Sequence, residues 1–284
     1  MNRVFLREFT HSFFRLCLRG DLPAFRLAWK ALWGKRNAPG TCRLPCGTIS
    51  YLDALVLYYQ YKEIIRDGCY DFICTDPNPR ILDCGGNIGI SVIRFKTLYP
   101  GAHITVFEAD PAIVATLKQN LHACNISDVI VHSEAVGIVN GTTIFKSNGL
   151  DSGHVTADKT AGGKSIPCIR LADQIIETTA FLKLDIEGSE YSVISDLVSS
   201  GAIQFVQRMA VELHASSTKS EQVAQVLFQL GKAGFSITLG FARSAPELPG
   251  QVEKTPFSRL VDGRHLLHLY AWRPEMQITN PGLN

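Results

Sequence analysis

Hydrophobic and polar positions follow different patterns before and after residue 80. Upstream, apolar residues recur at helical spacing in residues 1–36 and 50–66, and a Gly/Pro-rich connector at residues 34–48 separates the two helices that this spacing predicts. Downstream, short apolar runs alternate with longer amphipathic segments. The runs predict strands at residues 80–84, 103–109, 129–136, 181–186, 206–214, 235–241 and 265–272. The segments predict helices at residues 88–98, 111–123, 189–199 and 217–233.

This alternation predicts an α/β fold in which helices cover both faces of a mainly parallel sheet. Two departures refine it. A polar, Gly-rich excursion at residues 137–170 replaces an expected helix, and no helical pattern separates the last two strands. Those strands are therefore expected to form a hairpin, with the final strand antiparallel. Five strand–helix steps closed by a hairpin are the layout of the Rossmann-like, seven-stranded sheet of class I methyltransferases, an analogy of fold alone.

The turn TDPNP at residues 75–79 predicts a domain boundary. Residues 1–75 would form a basic helical extension, and residues 76–284 the ligand-binding domain. The net charge of +2 is uneven: residues 1–36 carry eight Lys and Arg against two acidic residues, whereas the remainder carries 20 basic and 24 acidic residues. A basic start is thus attached to a mildly acidic body.

The composition excludes several classes of protein. With 284 residues, 46% apolar and 19% charged, the chain can fold as one large domain with an appendage and is not typical of a disordered protein. No apolar run reaches the roughly 18 residues of a membrane-spanning helix, and no signal peptide is evident. Eight cysteines, none in C-x-x-C spacing, indicate reduced thiols and a cytoplasmic protein rather than a zinc site.

The basic N-terminus allows two interpretations. Its apolar residues and arginines interleave at helical spacing: Phe5, Phe9, Phe13 and Leu16 with Arg3, Arg7, Arg15 and Arg19. Such a helix can lie on a membrane surface, which would place the protein peripherally at the inner face of the membrane. It can equally pack on the body, and this interpretation is favoured because apolar helix faces usually seek a core.

The stretch RILDCGGNIGISV, residues 80–92, predicts a ligand-binding turn between a strand and a helix. It does not match the G-x-G-x-x-G fingerprint of dinucleotide sites. It reads instead as Asp83, Gly85, Asn87 and Gly89 at alternate positions. A carboxylate at Asp83 would pair with the ammonium of a methionine-like group and repel a pyrophosphate, which favours S-adenosylmethionine as cofactor. The alternative is a glycine turn that binds nothing.

Two further strand ends extend the predicted cofactor site, since ligands of open parallel sheets bind beyond the carboxyl ends of the strands. Glu108 follows the second strand and could accept hydrogen bonds from both ribose hydroxyls. Glu134 and Ala135 close the third strand, where adenine would lie and Glu134 could accept from its amino group. Glu134 could equally be a solvated loop charge.

The fourth and fifth strands end in candidate catalytic residues. Asp185 lies in LKLDIEGSEY, and Glu212 and His214 lie in VELH on one face of their strand. In one hypothesis Asp185 and Glu212, with or without His214, hold a divalent cation such as Mg²⁺ that orients a hydroxyl-bearing acceptor. In the other, His214 or Asp185 is a general base. A lone histidine at a strand end is more often structural.

Three segments together resemble the FkbM family of S-adenosylmethionine-dependent methyltransferases. They are ILDCGGNIGISVIRF, ITVFEADPAIVATLKQN and FLKLDIEGSEYSVISDL, the last carrying the K-x-D-x-E-G signature. Gly86 replaces the usual alanine, and Ala109-Asp110 interrupts the usual acid–proline pair. The resemblance implies O-methylation, typically of a sugar hydroxyl on a polysaccharide, glycolipid or natural-product scaffold.

Two other function classes remain open from the residues. A nicotinamide-dependent oxidoreductase could use a similar sheet, although the broken fingerprint argues against it. A non-enzymatic module could bind membranes or nucleic acid through residues 1–36. Nothing else in the chain supports nucleic acid, so the expected partner is a small-molecule or glycan acceptor.

Overall fold

The computed structural model describes residues 21–147, 153–156, 163–241 and 265–274. The first 20 residues of the helical segment expected at residues 1–36 lie outside them. The first described helix, α1, is Leu22–Trp33; the Asp21 side chain caps it by accepting from Ala24 N, and a proline in the first turn suits its start. Among the described residues, no helix is long and apolar enough to cross a bilayer.

A hairpin follows where the sequence predicted only a connector. Strands β1 (Gly40–Leu44) and β2 (Gly47–Tyr51) pair antiparallel. The prediction is wrong here because Gly and Pro masked a short alternation that buries Cys42 and Leu44 on one side. Helix α2 (Ala54–Gln60) comes next and continues as a π-helical turn, Tyr61–Arg66.

The remaining elements occur largely where the hydrophobic pattern places them. The strands are β3 (Arg80–Cys84), β4 (His103–Phe107), β5 (Val129–His132), β6 (Ala135–Gly137), β7 (Gly141–Ser147), β8 (Gly153–Thr156), β9 (Lys164–Arg170), β10 (Phe181–Leu184), β11 (Arg208–Ala215), β12 (Ser236–Phe241) and β13 (His265–Trp272). The helices are α3 (Ile90–Leu98), α4 (Pro111–Ala123), α5 (Glu190–Ser199) and α6 (Ser220–Lys232).

Seven strands form the main sheet in the order β12-β13-β11-β10-β3-β4-β5. All run parallel except β13, which pairs antiparallel with both β11 and β12. This confirms the predicted α/β, Rossmann-like sheet with an antiparallel last strand. The order reverses between β10 and β3, so the carboxyl ends of these two strands mark the crevice in which such sheets bind ligands.

A second, four-stranded sheet of order β6-β9-β7-β8 stands in place of a helix between β5 and β10. The single strand predicted at residues 129–136 is therefore wrong: it breaks at residues 133–134, so that β5 joins the main sheet and β6 pairs with β9. The excursion at residues 137–170 contains strands rather than loop alone. Its polar residues fit an edge sheet with one solvated face.

The N-terminal elements share a core with one face of the main sheet. One apolar cluster contains Leu27 of α1, Ile49 of β2 and Leu57 of α2 together with residues of β3, α3, β4 and α4. A second cluster joins the other face to α5 and α6. The domain boundary at residue 75 stays a prediction.

Candidate active site

The glycine turn after β3 is held in a conformation that suits small residues. Gly85 and Gly89 have positive φ angles of 89° and 92°, and Asn87 has a φ of 46°. The N–H groups of Gly85 and Gly86 both donate to the Phe107 carbonyl, at 2.9 and 3.0 Å. A Cβ on Gly85 would lie 1.8 Å from the Asp185 carbonyl oxygen. The turn therefore packs against the end of β10 too closely for any other residue.

A cavity of about 580 Å³ opens beside this turn, at the carboxyl ends of β3, β4, β10 and β11. The predicted site residues that line it are Gly85, Asn87, Glu108, Glu134, Ala135, Asp185 and Glu212. The π-helical end of α2 and the residues after it form another wall. The structure thus brings most of the predicted cofactor and acceptor residues around one space.

The Glu108 carboxylate is hydrogen-bonded to the glycine turn. Its Oε2 accepts from Asn87 N and its Oε1 accepts from Asp110 N, both at 2.9 Å. Burial raises the pKa of this carboxyl above its usual value, and the two backbone N–H groups act in the opposite direction. The carboxylate is fixed beside the cavity with further lone pairs to accept hydrogen bonds. The contact between Glu108 and a ribose stays a prediction, and the position of the carboxylate beside the cavity is compatible with it.

Asp83 does not face the cavity, so its predicted direct contact with a ligand ammonium stays a prediction that this geometry does not favour. It is fully buried and does not line the space. Its Oδ2 accepts from Ser91 Oγ, and its Oδ1 lies 3.3 Å from Lys183 Nζ. Two residues that do line the cavity therefore stand between Asp83 and any ligand. Gly89 also lies outside the lining, because it is the residue from which α3 starts.

Lys183 is a buried cation that joins the two central strand ends. Its Nζ donates to the Gly85 carbonyl at 2.7 Å and lies 3.5 Å from Asp185 Oδ2. Burial alone would lower the pKa of Lys183, but the charges of Asp83, Asp185 and Glu212 raise it above its usual value. The ammonium is thus permanently charged and fixes the relative positions of the turn and of Asp185.

The acceptor end of the cavity contains carboxylates from two adjacent strands. Asp185 and Glu212 lie with His214 so that one ligand atom of each is within 4.8 Å of the others. Glu212 Oε2 is 3.0 Å from the Nε2 of His268, a residue of β13 that the sequence did not single out. Burial and the charge of Asp185 raise the pKa of Glu212, and His268 opposes them.

His214 is enclosed by acidic residues. Its Nε2 lies 3.1 Å from Glu187 Oε2 and its Nδ1 lies 3.0 Å from Glu190 Oε1. Burial acts to lower the pKa of His214, but these two carboxylates raise it to about 11. The ring is therefore an imidazolium at neutral pH, with both nitrogens engaged as donors. This state offers no lone pair to a metal or to a substrate proton, so the catalytic role of His214 stays a prediction that this geometry does not favour.

The adenine side of the predicted site lies where β5 gives way to β6. Glu134 and Ala135 both line the cavity, and Glu134 Oε2 lies 2.9 Å from His132 Nδ1. The Glu134 carboxyl is partly exposed and has this local partner, so both of its predicted interpretations remain open.

Sequence reasoning missed the wall that α2 contributes. Gln60 and Glu63 line the cavity, and their Oε1 atoms are buried without a hydrogen bond from any described residue. Tyr70 is buried in the same wall, and its ring lies 5.4 Å from Lys183 Nζ. The sequence did contain one signal for this wall, because Gln60 and Glu63 are polar residues in a helical segment with a buried face. The π-helical turn that carries Glu63 has no signature in the hydrophobic pattern.

Comparisons with known proteins agree on one enzyme class. The family model described as "Methyltransferase FkbM domain" matches residues 83–237. "Methyltransferase sdnD" of Sordaria araneosa is 29% identical over 243 residues, which covers 72% of this chain and 91% of the relative. "Methyltransferase 1" of Beauveria bassiana (strain ARSEF 2860) is 28% identical over 169 residues, covering 50% of this chain and 68% of the relative.

Solved structures are similar at lower identity. Methyltransferase FkbM from Methylobacillus flagellatus KT superposes with a TM-score of 0.46 at 17% identity, covering 75% of this chain and 48% of that one, so the alignment spans about half of that structure. M. jannaschii TYW2 in complex with AdoMet gives a TM-score of 0.46 at 11% identity, covering 85% and 89%.

Proposed function

Given that the chain belongs to the FkbM methyltransferase family, whose model covers more than half of it, we propose that it transfers a methyl group from S-adenosylmethionine to a hydroxyl oxygen of a sugar-containing acceptor. The observation that carries the proposal is a single cavity with two chemically distinct ends. One end has the glycine turn with Glu108 fastened to it, and the other has the carboxylates of Asp185 and Glu212.

The first end suits the cofactor. Free N–H groups at the start of α3 and the close backbone approach at Gly85 favour a nucleoside ligand, and the Glu108 carboxylate can accept from two ribose hydroxyls. Since Asp83 is shielded, Ser91 lies between it and the cavity on the methionine side. The partly apolar strip at Ala135, Val136 and Phe145 suits the adenine ring.

The second end suits an acceptor rich in hydrogen-bond donors. Among the described residues, no group donates a hydrogen bond to the buried Oε1 atoms of Gln60 and Glu63. A buried oxygen without a donor destabilises the protein unless a ligand supplies the hydrogen bond. Asp185 and Glu212 add further acceptors nearby. A sugar supplies several hydroxyl donors on one rigid ring, which supports a glycan, glycolipid or glycosylated natural product as the acceptor class.

The transfer step needs mainly positioning and one proton acceptor. The hydroxyl oxygen attacks the methyl carbon, the carbon–sulfur bond breaks, and its electron pair remains on sulfur as the sulfonium becomes a thioether. The hydroxyl proton passes to a carboxylate. We assign the proton to Glu212, because burial raises the pKa of this carboxyl above its usual value.

A divalent cation fits these residues poorly. Two carboxylates and an imidazole are suitable ligands in number, but Asp185 already lies 3.5 Å from the Lys183 ammonium, and His214 is held as an imidazolium by Glu187 and Glu190. The Mg²⁺ hypothesis therefore stays a prediction, and no step above uses a metal.

Isothermal titration of the purified protein with S-adenosylhomocysteine tests the cofactor assignment. We expect micromolar binding, and roughly 10- to 100-fold weaker binding in Glu108→Ala, since hydrogen bonds to a charged group contribute about 1.5–3 kcal/mol. Glu177→Ala, at an exposed carboxylate far from the cavity, is the control. Binding of NADH without binding of the thioether would overturn the proposal, and unchanged affinity in Glu108→Ala would overturn the ribose contact.

Turnover with glycan acceptors tests the other end of the cavity. Asp185→Asn and Glu212→Gln should lower methyl transfer while S-adenosylhomocysteine still binds with wild-type affinity. The same titration and assay with and without magnesium address the metal: a chelator-sensitive reaction would favour the cation hypothesis over direct proton transfer to a carboxylate.

A further inference from the structure

Helix α1 presents an exposed apolar face on the side away from the core. Its buried side packs Ala24, Leu27, Ala28 and Ala31 against the body. The opposite side exposes Leu22 by 62%, Trp29 by 52% and Trp33 by 64%. The two indole rings contact each other with centroids 5.9 Å apart. Large aromatic side chains rarely stay so exposed on a short helix unless they have a partner.

Positive charge surrounds this aromatic face. Arg26 and Lys30 are exposed on the same side of α1, where Lys30 Nζ also donates to the Thr41 carbonyl at 2.7 Å, and Lys35 follows the helix. Residues 22–52 contain five Lys and Arg and no Asp or Glu. Arg36 pairs with Asp53 just beyond that span, and no carboxylate within it offsets the positive charge of Arg26, Lys30 and Lys35. Tryptophan beside Lys and Arg is the composition of segments that lie in the headgroup region of a bilayer.

We infer that the exposed face of α1, formed by Leu22, Arg26, Trp29, Lys30 and Trp33, docks on an anionic lipid bilayer. Indoles placed at the headgroup boundary bury their rings and keep their N–H groups near water, while the cations meet lipid phosphates. A second copy of the chain is a poorer occupant, because a two-fold interface on this face would bring the same cations together.

Docking would orient the cavity towards the membrane. Arg36 lies three residues after Trp33, lines the cavity, and donates through Nε to Asp53 Oδ2 at 2.8 Å. Asp53 caps α2, the helix that forms the acceptor wall. The lipid-facing surface and the acceptor end are therefore joined by a short, hydrogen-bonded path. If the proposed function holds, on which this consequence alone rests, the acceptor is a sugar attached to a lipid.

Vesicle co-sedimentation of the full chain, without cofactor, tests the docking. We expect binding to vesicles of phosphatidylcholine mixed with phosphatidylserine, weak binding to phosphatidylcholine alone, and a blue shift of tryptophan emission, because two of the three tryptophans lie on this face. Trp29→Ser/Trp33→Ser should weaken binding by about tenfold or more, since each buried indole contributes apolar area. Ile176→Ser/Phe228→Ser, at exposed apolar residues elsewhere, is the control and should bind as wild type.

Three outcomes would overturn the inference. Equal binding by the Trp29→Ser/Trp33→Ser variant and wild type would show that basic residues alone attract the protein to lipid. A change of oligomeric state in that variant, with no vesicle binding by either protein, would assign the face to a second copy. Binding to single-stranded RNA but not to vesicles would assign it to nucleic acid. None of these results depends on methyl transfer, so a failed activity assay leaves this test intact.

Discussion

Several residues of this site are buried charged groups that hold one another in place through ion pairs and hydrogen bonds. Lys183 is the clearest case, because it is buried with two carboxylates and donates to the backbone of the glycine turn. Breaking a buried ion pair leaves an uncompensated charge, which costs more than the pair contributes. Lys183 is thus expected to be indispensable for the fold of the site even if it never touches the reacting atoms.

Lys183→Met should lower the free energy of unfolding by about 3–5 kcal/mol, as measured by urea denaturation. Lys118→Met, at an exposed position of α4, should change it little. Adding Asp83→Asn to Lys183→Met should recover part of the loss, because the second substitution removes the stranded charge. If the loss of stability in the double variant equalled the sum of the losses in the two single variants, the ion pair between Lys183 and Asp83 would not be the cause.

His214 predicts a pH dependence of stability whose sign follows from its partners. Glu187 and Glu190 raise the pKa of His214 from the ordinary value near 6.5 to about 11 in the folded protein. A group whose pKa is higher in the folded than in the unfolded protein contributes its full stabilisation at pH values below its unfolded-state pKa. That contribution is lost as the pH rises towards its folded-state pKa. Between pH 7 and 10 the free energy of unfolding should therefore decrease, by up to about 1.4 kcal/mol per pH unit from this group.

The measurement is chemical denaturation across that pH range, compared with His214→Gln. The variant has no ring to lose a proton, so its stability curve should be flatter than that of the wild type. Parallel curves for the two proteins would show that His214 is not protonated in the native state, which would reopen its assignment as a general base.

Among the elements, the glycine turn shows how two requirements can be separated by experiment. Gly85 has a positive φ and also lies against the Asp185 carbonyl, whereas Gly201 has a φ of 80° with nothing within 4 Å of an added Cβ. Gly201→Ala should therefore cost only the left-handed conformation, about 1–2 kcal/mol. Gly85→Ala should cost more and should also abolish S-adenosylhomocysteine binding, because the end of β10 must move.

Thermal unfolding and titration of both alanine variants check this. Equal losses of stability would mean that the close approach to Asp185 is relieved without cost. Retained ligand binding in Gly85→Ala would mean that the turn does not need its native shape to hold a cofactor.

Elements with a strong period were predictable, and elements that depend on partners were not. The pattern placed α4 at its observed bounds and β3 and β13 at theirs, because each has a clear period: consecutive buried residues in β3, one buried stripe in α4 and alternation in β13. The hairpin of β1 and β2 and the small sheet around β9 were missed. Their strands are polar on one side and rich in glycine or flanked by it, so pairing with a neighbour rather than local sequence decides their conformation.

The candidate site divides in the same way. Residues at the ends of parallel strands, such as Glu108 and Asp185, could be placed together because topology alone puts those ends at one edge. Glu63 and Tyr70 could not, since they reach the cavity from a π-helical turn and a loop, and neither could His268, which contacts Glu212 from an antiparallel strand. The positions of these elements depend on tertiary packing. The shielding of Asp83 was equally invisible, because it depends on Lys183 and Ser91 filling the space beside it.

At the scale of the whole molecule, Asn120 links the N-terminal elements to the sheet. From α4 it accepts from Ser50 N at 2.7 Å and donates to the carbonyls of Ser50 and Ile88 at 3.0 and 2.9 Å. All three bonds are formed by one fully buried amide. The hairpin and the turn before α3 are therefore fixed relative to each other.

Asn120→Ala should lower the free energy of unfolding by about 2–4 kcal/mol, since it leaves buried backbone groups without partners. Gln119→Ala, an exposed amide one residue earlier, is the control. Hydrogen exchange should show faster exchange at the Ser50 amide and through the hairpin. Exchange confined to the hairpin, with the rest of the chain unaffected, would support a separable extension. Faster exchange throughout the chain would support one cooperative unit.

The insertion of β13 between β11 and β12 also sets an order of assembly. The strand synthesised last among the described ones must enter between two that already exist, so β12 has no partner in the sheet, and β11 has only β10, until residues 265–272 have left the ribosome. His268, the partner of Glu212, arrives with that strand. Among the described residues, the Glu212 end of the cavity is therefore completed after the glycine turn, whose neighbouring strands β4 and β10 are synthesised earlier.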